Sequence, residues 1–178
     1  MDSIFKESNL LLKDIHLIAV NAGPGSYTGL RVGITGVNSL SWANQIPSIG
    51  VSNLYNMAYS SAHQGRIVAL MYGNEKDAFM ACYQNYNGYL TPLKIDEKVT
   101  WEEAQQACEQ CDQILYFAPK KQDIPFQQKV TEWQPTAKYI GCAALNLFAK
   151  QENKCYGTIA PNYLRDFEVT RKQTTIIS

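Results

Sequence analysis

Charge is what this 178-residue sequence has least of. Only 18% of residues are Asp, Glu, Lys or Arg, and sixteen basic side chains balance sixteen acidic ones. A formal net charge of zero argues against a long-range electrostatic pull toward nucleic acid or an anionic membrane surface. No run approaches the ~20 consecutive apolar residues of a membrane span. The start, Met1-Asp2-Ser3-Ile4-Phe5-Lys6, lacks the basic-then-apolar order of a secretory leader, so the expected location is the cytoplasm. Histidine is scarce as well: neither His16 nor His63 has a metal ligand beside it. No lysine occurs between Lys13 and Lys76, which removes the Walker A motif from the chain's glycine-rich turn.

Apolar residues, by contrast, make up 46% of the chain, enough for a sizeable core in one domain or two small lobes. With so few charges, part of the apolar surface is expected to face a partner. Five cysteines, at 82, 108, 111, 142 and 155, are an odd number in a chain without an export signal, which argues against a disulfide framework. Cys108 and Cys111 do form a C-x-x-C pair. Thr100 and Glu103, however, read as a capping box opening a helix whose apolar stripe runs Trp101, Ala104, Cys108, Cys111. On that stripe cysteine packs as a small hydrophobe, and no metal site is expected.

The order of elements points to an α/β protein. Residues 3 to 13 resemble the tail of an amphipathic helix, and Ile15 to Ala22 is a buried parallel strand ending at a Gly-Pro turn. A helix from Tyr27 to Asn44, a strand from Pro47 to Val51 and a helix from Asn53 to His63, N-capped by Ser52, follow. Beyond Gly65 come two aromatic-rich strands, Arg66 to Tyr72 and Ala78 to Tyr86, then the Thr100 helix and a strand from Gln113 to Ala118. A proline-punctuated stretch, 119 to 135, reads as a surface connection or a variable loop with a short strand. Ala137 to Lys150 is an apolar-rich helix. The expected lobes are 1–64, with 158–178 packing back on it, and 65–157.

Ala22-Gly23-Pro24-Gly25-Ser26-Tyr27-Thr28-Gly29-Leu30-Arg31-Val32-Gly33 stands where a strand hands over to a helix. Free backbone N–H groups and the helix dipole converge at such a junction and can hold a phosphate. The nucleotide motifs nevertheless fail, because Thr28 stands where the Rossmann pattern needs its third glycine. Ser26 is a candidate nucleophile on such a turn, but G-x-S-x-G is absent and no histidine is close in sequence, so a helix N-cap is its expected role. Gly29, Gly33, Gly36 and Leu40 recur at i, i+4, i+7, i+11 and so share one helix face. Each glycine costs a helix about 1 kcal/mol relative to alanine, which makes sense if another backbone approaches closely. That backbone belongs either to the chain's own sheet or to another chain.

The block Gly23 to Gly33, followed by Pro47-Ser48-Ile49-Gly50-Val51-Ser52-Asn53-Leu54 and by Pro161-Asn162-Tyr163-Leu164-Arg165, closely resembles the TsaB family, also called YeaZ. The resemblance covers essentially the whole chain, weakly between Arg66 and Pro161. It implies the two-lobed fold of the actin, Hsp70 and sugar-kinase superfamily, which is ribonuclease H-like. It also implies a non-catalytic scaffold for making N6-threonylcarbamoyladenosine at position 37 of tRNA. Such a protein binds and orders the catalytic subunit TsaD, works with the ATPase TsaE through the complex, and meets tRNA only indirectly.

Family members normally open with a strand of the form I-L-A-I-D-T-S and a hairpin that carries the first phosphate loop in active relatives. This chain starts within the following helix, so those first strands are expected to be missing, the Ile15 strand is left with an unpaired edge or a different neighbour, and no cofactor is expected. A lysine common midway along the glycine helix is replaced by Asn38, with loss of a charged contact. The family's first two helices form the contact with TsaD and the homodimer contact. The implied interface here is Tyr27, Gly29, Arg31, Val32, Gly33, Gly36 and Leu40, with Arg31 reaching a carboxylate across it. Rival readings are a stand-alone glycoprotease- or peptidase-like hydrolase using Ser26 or a cysteine, and a degenerate fragment of a TsaB-like protein.

Overall fold

The apolar run before the glycine turn forms β1 (Ile18–Gly23). In the computed structural model, which describes residues 2–120, 122–149 and 157–164, β1 pairs in parallel with β2 (Ser48–Ser52), Ile18 lying opposite Ser48. The crossover between them is α2 (Tyr27–Asn44), which buries Leu30, Ile34 and Ser41. It ends where Gln45 turns into the left-handed region at φ 54° and returns its N–H to the Ser41 carbonyl. Along a strand, neighbouring side chains point to opposite faces. Val20 faces α2, meeting the Gly33 position, whereas Ala19, Ile49 and Val51 face α5 (Ala137–Ala149) through Ala143 and Ala144. The two-stranded sheet is thus covered on both sides. Among the described residues no strand pairs with the other edge of β1.

A second sheet has the order β5-β4-β3-β6-β7, built from β3 (Gly65–Tyr72), β4 (Asp77–Tyr86), β5 (Tyr89–Thr100), β6 (Gln113–Phe117) and β7 (Thr131–Glu132). β3 pairs antiparallel with β4 and parallel with β6, so it is the central strand. Its alternate residues feed two cores. Ile67, Ala69 and Met71 pack under α3 (Asn53–Ser60), and Val68 and Leu70 pack with α4 (Trp101–Cys108). α3 is shared between the sheets: Leu54, Met57 and Ala58 enter the second sheet's core while Tyr55 and Tyr59 also touch the first. Leu54 and Met57 are fully buried, and truncating either to alanine costs about 2–5 kcal/mol.

Several expectations change. The helix expected over 3 to 13 is α1 (Asp2–Ser8), stopped at Asn9 by a positive φ of 53°. A single 3-10 turn (Leu12–Asp14) follows, in which the Leu11 N–H donates to the Asp14 carboxylate at 2.9 Å. β5 was not expected. It is set by the two-residue turn Asn87-Gly88, whose φ angles of 51° and 84° favour a tight hairpin. The capping box at Thr100 and Glu103 forms, but α4 ends at Cys108, so Cys111 reaches the same core from beyond the helix. The 119–135 stretch is more than surface. Phe126 and Val130 pack on the second core, and buried Trp133 donates its indole N–H to Ser60 Oγ at 2.9 Å. α5, grouped with the second lobe in sequence, packs on the first sheet.

Candidate functional site

Ser26 is committed to the backbone. Its hydroxyl accepts the Gly29 N–H at 3.3 Å, which caps α2, and no described hydrogen bond joins it to a histidine or a carboxylate. The turn before it is equally occupied. A Cβ at Gly23, where φ is 115°, would stand 2.6 Å from the Asn162 carbonyl oxygen, because the 157–164 segment lies across the turn. Gly157 meets the Asn38 carbonyl at 2.9 Å in the same sense. These glycines are required by the chain's own packing.

The stripe on α2 is different. A Cβ at Gly36 would meet nothing within 4 Å, and one at Gly33 would meet only Val20 Cγ2 at 3.7 Å, an ordinary contact. One at Gly29 would meet only its own cap, Ser26, at 3.4 Å. Nothing in the described packing of the chain calls for glycine at these three positions. At about 100° per residue, Leu40 shares their face and Val32 stands beside it, 70% exposed. Tyr27 and Arg31 fall on the opposite flank. There the Arg31 guanidinium lies 4.0 Å from the Tyr27 ring centre and donates to the Tyr27 hydroxyl and, at 3.0 Å, to the Tyr163 hydroxyl. Of the seven predicted interface residues, five therefore share one open face and two form an aromatic–cation cluster behind it, where Arg31 is engaged within the chain.

The Pro161-Asn162-Tyr163-Leu164 motif is the strap that holds this cluster; Arg165 lies outside the described residues, as do Cys155 and 165–178 of the expected first lobe. Asn162 N–H donates to the Ala22 carbonyl at 2.7 Å, and Gly157 N–H donates to Ser41 Oγ at 3.0 Å. Asn38, where a lysine contact was expected, instead grips the backbone of Ile159 through both ends of its amide.

Sequence reasoning missed a second polar centre. Ala81 of β4 faces two residues of β5, Ile95 and Asp96, because the register jumps from Met80–Glu97 to Cys82–Lys94. This bulge re-aims Asp96 into the cleft between the sheets. Its Oδ2 accepts from Ser52 Oγ at 2.6 Å and from Asn162 Nδ2 at 3.0 Å, and Tyr83 is its neighbour in the cleft lining. Burial raises the Asp96 pKa above the ordinary carboxylate value, and hydrogen bonding, from Ser52 first, only partly offsets it. Burial likewise holds the Tyr83 phenol well above its usual range. The cleft is a cavity of about 560 Å³ lined by Tyr55, Leu90, Pro92, Ile95 and Leu147 around these polar groups. The only advance signal was the unassigned Asn87-Gly88 turn, without which β5 and its bulge cannot be drawn.

Two solved structures share this architecture. YeaZ from Pseudomonas aeruginosa superposes with a TM-score of 0.67 at 19% identity, covering 90% of this chain and 79% of its own. A Pseudomonas aeruginosa protein described as similar to peptidase YeaZ gives 0.72 at 21%, covering 92% and 80%. The chain accordingly has the YeaZ fold. A family model described as "TsaD: tRNA N6-adenosine threonylcarbamoyltransferase" matches residues 1–131. The tRNA threonylcarbamoyladenosine biosynthesis protein TsaB of Bacillus subtilis is 27% identical over 96% of this chain and 78% of its own length. The TsaB protein of Escherichia coli is 30% identical over 60% of this chain and 49% of its own. The chain belongs to this family, and within it to the TsaB (YeaZ) proteins.

Proposed function

We propose that this chain serves the synthesis of N6-threonylcarbamoyladenosine on tRNA as a non-catalytic subunit that binds and orders a TsaD-type catalytic subunit. The contact is the open face of α2: Gly29, Val32, Gly33, Gly36 and Leu40, with Tyr27 and Arg31 bracing the helix from behind. One observation carries the reading. Three glycines, each unfavourable in a helix by about 1 kcal/mol, share a face on which the described packing makes no use of them. Close approach of a second helix backbone accounts for them. The same face suits self-association, so a homodimer and the TsaD-type complex compete for it. A TsaE-type ATPase and tRNA join through the complex. The hydrolase reading is weakened at Ser26, whose hydroxyl serves the helix cap.

The test is reconstitution. A TsaD-type partner, its TsaE-type ATPase, ATP, a threonylcarbamoyl donor and substrate tRNA are assayed with and without this chain. Modified tRNA is expected only when the chain is present, and no ATP or peptide hydrolysis by the chain alone. Equal modification without it contradicts the proposal.

A further inference from the structure

We infer that the cleft between the two sheets is a binding site for a small organic ammonium ion with an apolar body, seated with its charge on Asp96. The inference stands apart from the proposed function, which uses the far side of α2. Asp96 is a partly buried carboxylate whose hydrogen-bond donors, Ser52 and Asn162, are neutral, as is its neighbour Tyr83 in the cleft lining. The two described ion pairs, Lys94–Glu97 at 3.2 Å and Lys98–Asp77 at 3.5 Å, leave it out. Among the described residues the cleft therefore holds an anion with no cation. Both of its side-chain hydrogen bonds, from Ser52 and Asn162, fall on Oδ2, which leaves Oδ1 to accept a ligand N–H.

The rest of the wall is complementary to hydrocarbon or an aromatic ring. Leu90, Pro92, Ile95 and Leu147 supply apolar surface, and the rings of Tyr55 and Tyr83, edge to face at 5.7 Å, offer π-density that favours a cation. A volume of about 560 Å³ suits a ligand of this size. An anionic ligand such as a phosphate would meet Asp96 with like charge, and a neutral one would leave that charge uncompensated.

The probes are 2-phenylethylamine and its neutral counterpart 2-phenylethanol, titrated calorimetrically into the full chain at pH 7. The amine is expected to bind at least about tenfold more tightly than the alcohol. Asp96→Asn is expected to erase that preference. Ile95→Arg, at an exposed rim position, supplies a guanidinium from the chain itself and is expected to abolish amine binding without unfolding the protein. Equal affinity for amine and alcohol, no binding of the amine at about 10 mM, or undiminished amine binding to Ile95→Arg overturns the inference.

Discussion

Asn38, in the middle of α2, holds Ile159 by both backbone groups: its Nδ2 donates to the Ile159 carbonyl at 2.9 Å, and its Oδ1 accepts the Ile159 N–H at 3.1 Å. This pairing lies 121 residues apart in sequence and fastens the strap to the helix. Asn38→Ala leaves both backbone groups without their partner, an expected loss of about 1–3 kcal/mol. Asn38→Lys can only donate, so it leaves the Ile159 N–H unpaired and is expected to stay well below the wild type. Thermal melts of the three proteins check the order.

Gly36 faces open space, so Gly36→Ala removes a helix penalty without a clash and is expected to stabilise the chain by up to about 1 kcal/mol. At Gly33 an added Cβ would meet only Val20 Cγ2, at 3.7 Å, and Gly33→Leu is expected to melt close to the wild type. Both are expected to weaken partner binding. A large fall in Tm for Gly33→Leu assigns the stripe to the chain's own core.

Asp96 gives a pH dependence with a definite sign. Its pKa is raised in the folded chain, so between the unfolded and the folded value the native state binds more protons than the unfolded one. Its contribution to stability therefore grows as pH falls through that folded value and is lost as pH rises through it. Measured against Asp96→Asn, the wild type is expected to gain relative stability on going from pH 7 toward the ordinary carboxylate range near 3.8. A constant difference in Tm across that interval would remove Asp96 from the account.

The cysteines divide by environment. Cys108 is pushed well up by its contact with the Cys111 thiol and by burial, and Cys82 is raised by burial, whereas Cys111 is lowered by the Cys108 thiol and only half-buried. Cys142 is exposed. Native alkylation read by mass spectrometry is expected to label Cys142 and Cys111 while sparing Cys82 and Cys108. Among the described residues no group of three or more His, Cys, Asp or Glu side chains is placed to hold a metal. Cys108 and Cys111 pack in the apolar core of the second sheet, and protein purified without added zinc is expected to be free of it.

The first half of the fold is legible because its signals are local. Ser26 and Ser52 cap helices where their spacing demands, the Tyr27–Asn44 helix has the bounds its pattern predicts, and β1–β2 follow from short apolar runs. β5 is not legible in the same way. Its solvent-facing edge mixes Thr91, Lys94 and Lys98 with apolar residues, and two bulges break the alternation on which a strand is recognised. Asp96 was lost with it, since its role depends on where a bulge aims it. The Arg31–Tyr163 contact was not legible for a related reason, since the two residues are 132 apart in sequence.

Val32 gives the central test, because it is 70% exposed beside the glycine stripe and does no described work in the fold. Affinity for the TsaD-type partner is measured by titration for wild type and Val32→Glu, with Tm taken on the same samples. The account predicts an unchanged Tm and a loss of affinity of at least about tenfold, the scale of one well-placed interface residue. Wild-type affinity in a folded Val32→Glu protein would contradict the assignment of this face of α2 as the partner-binding surface.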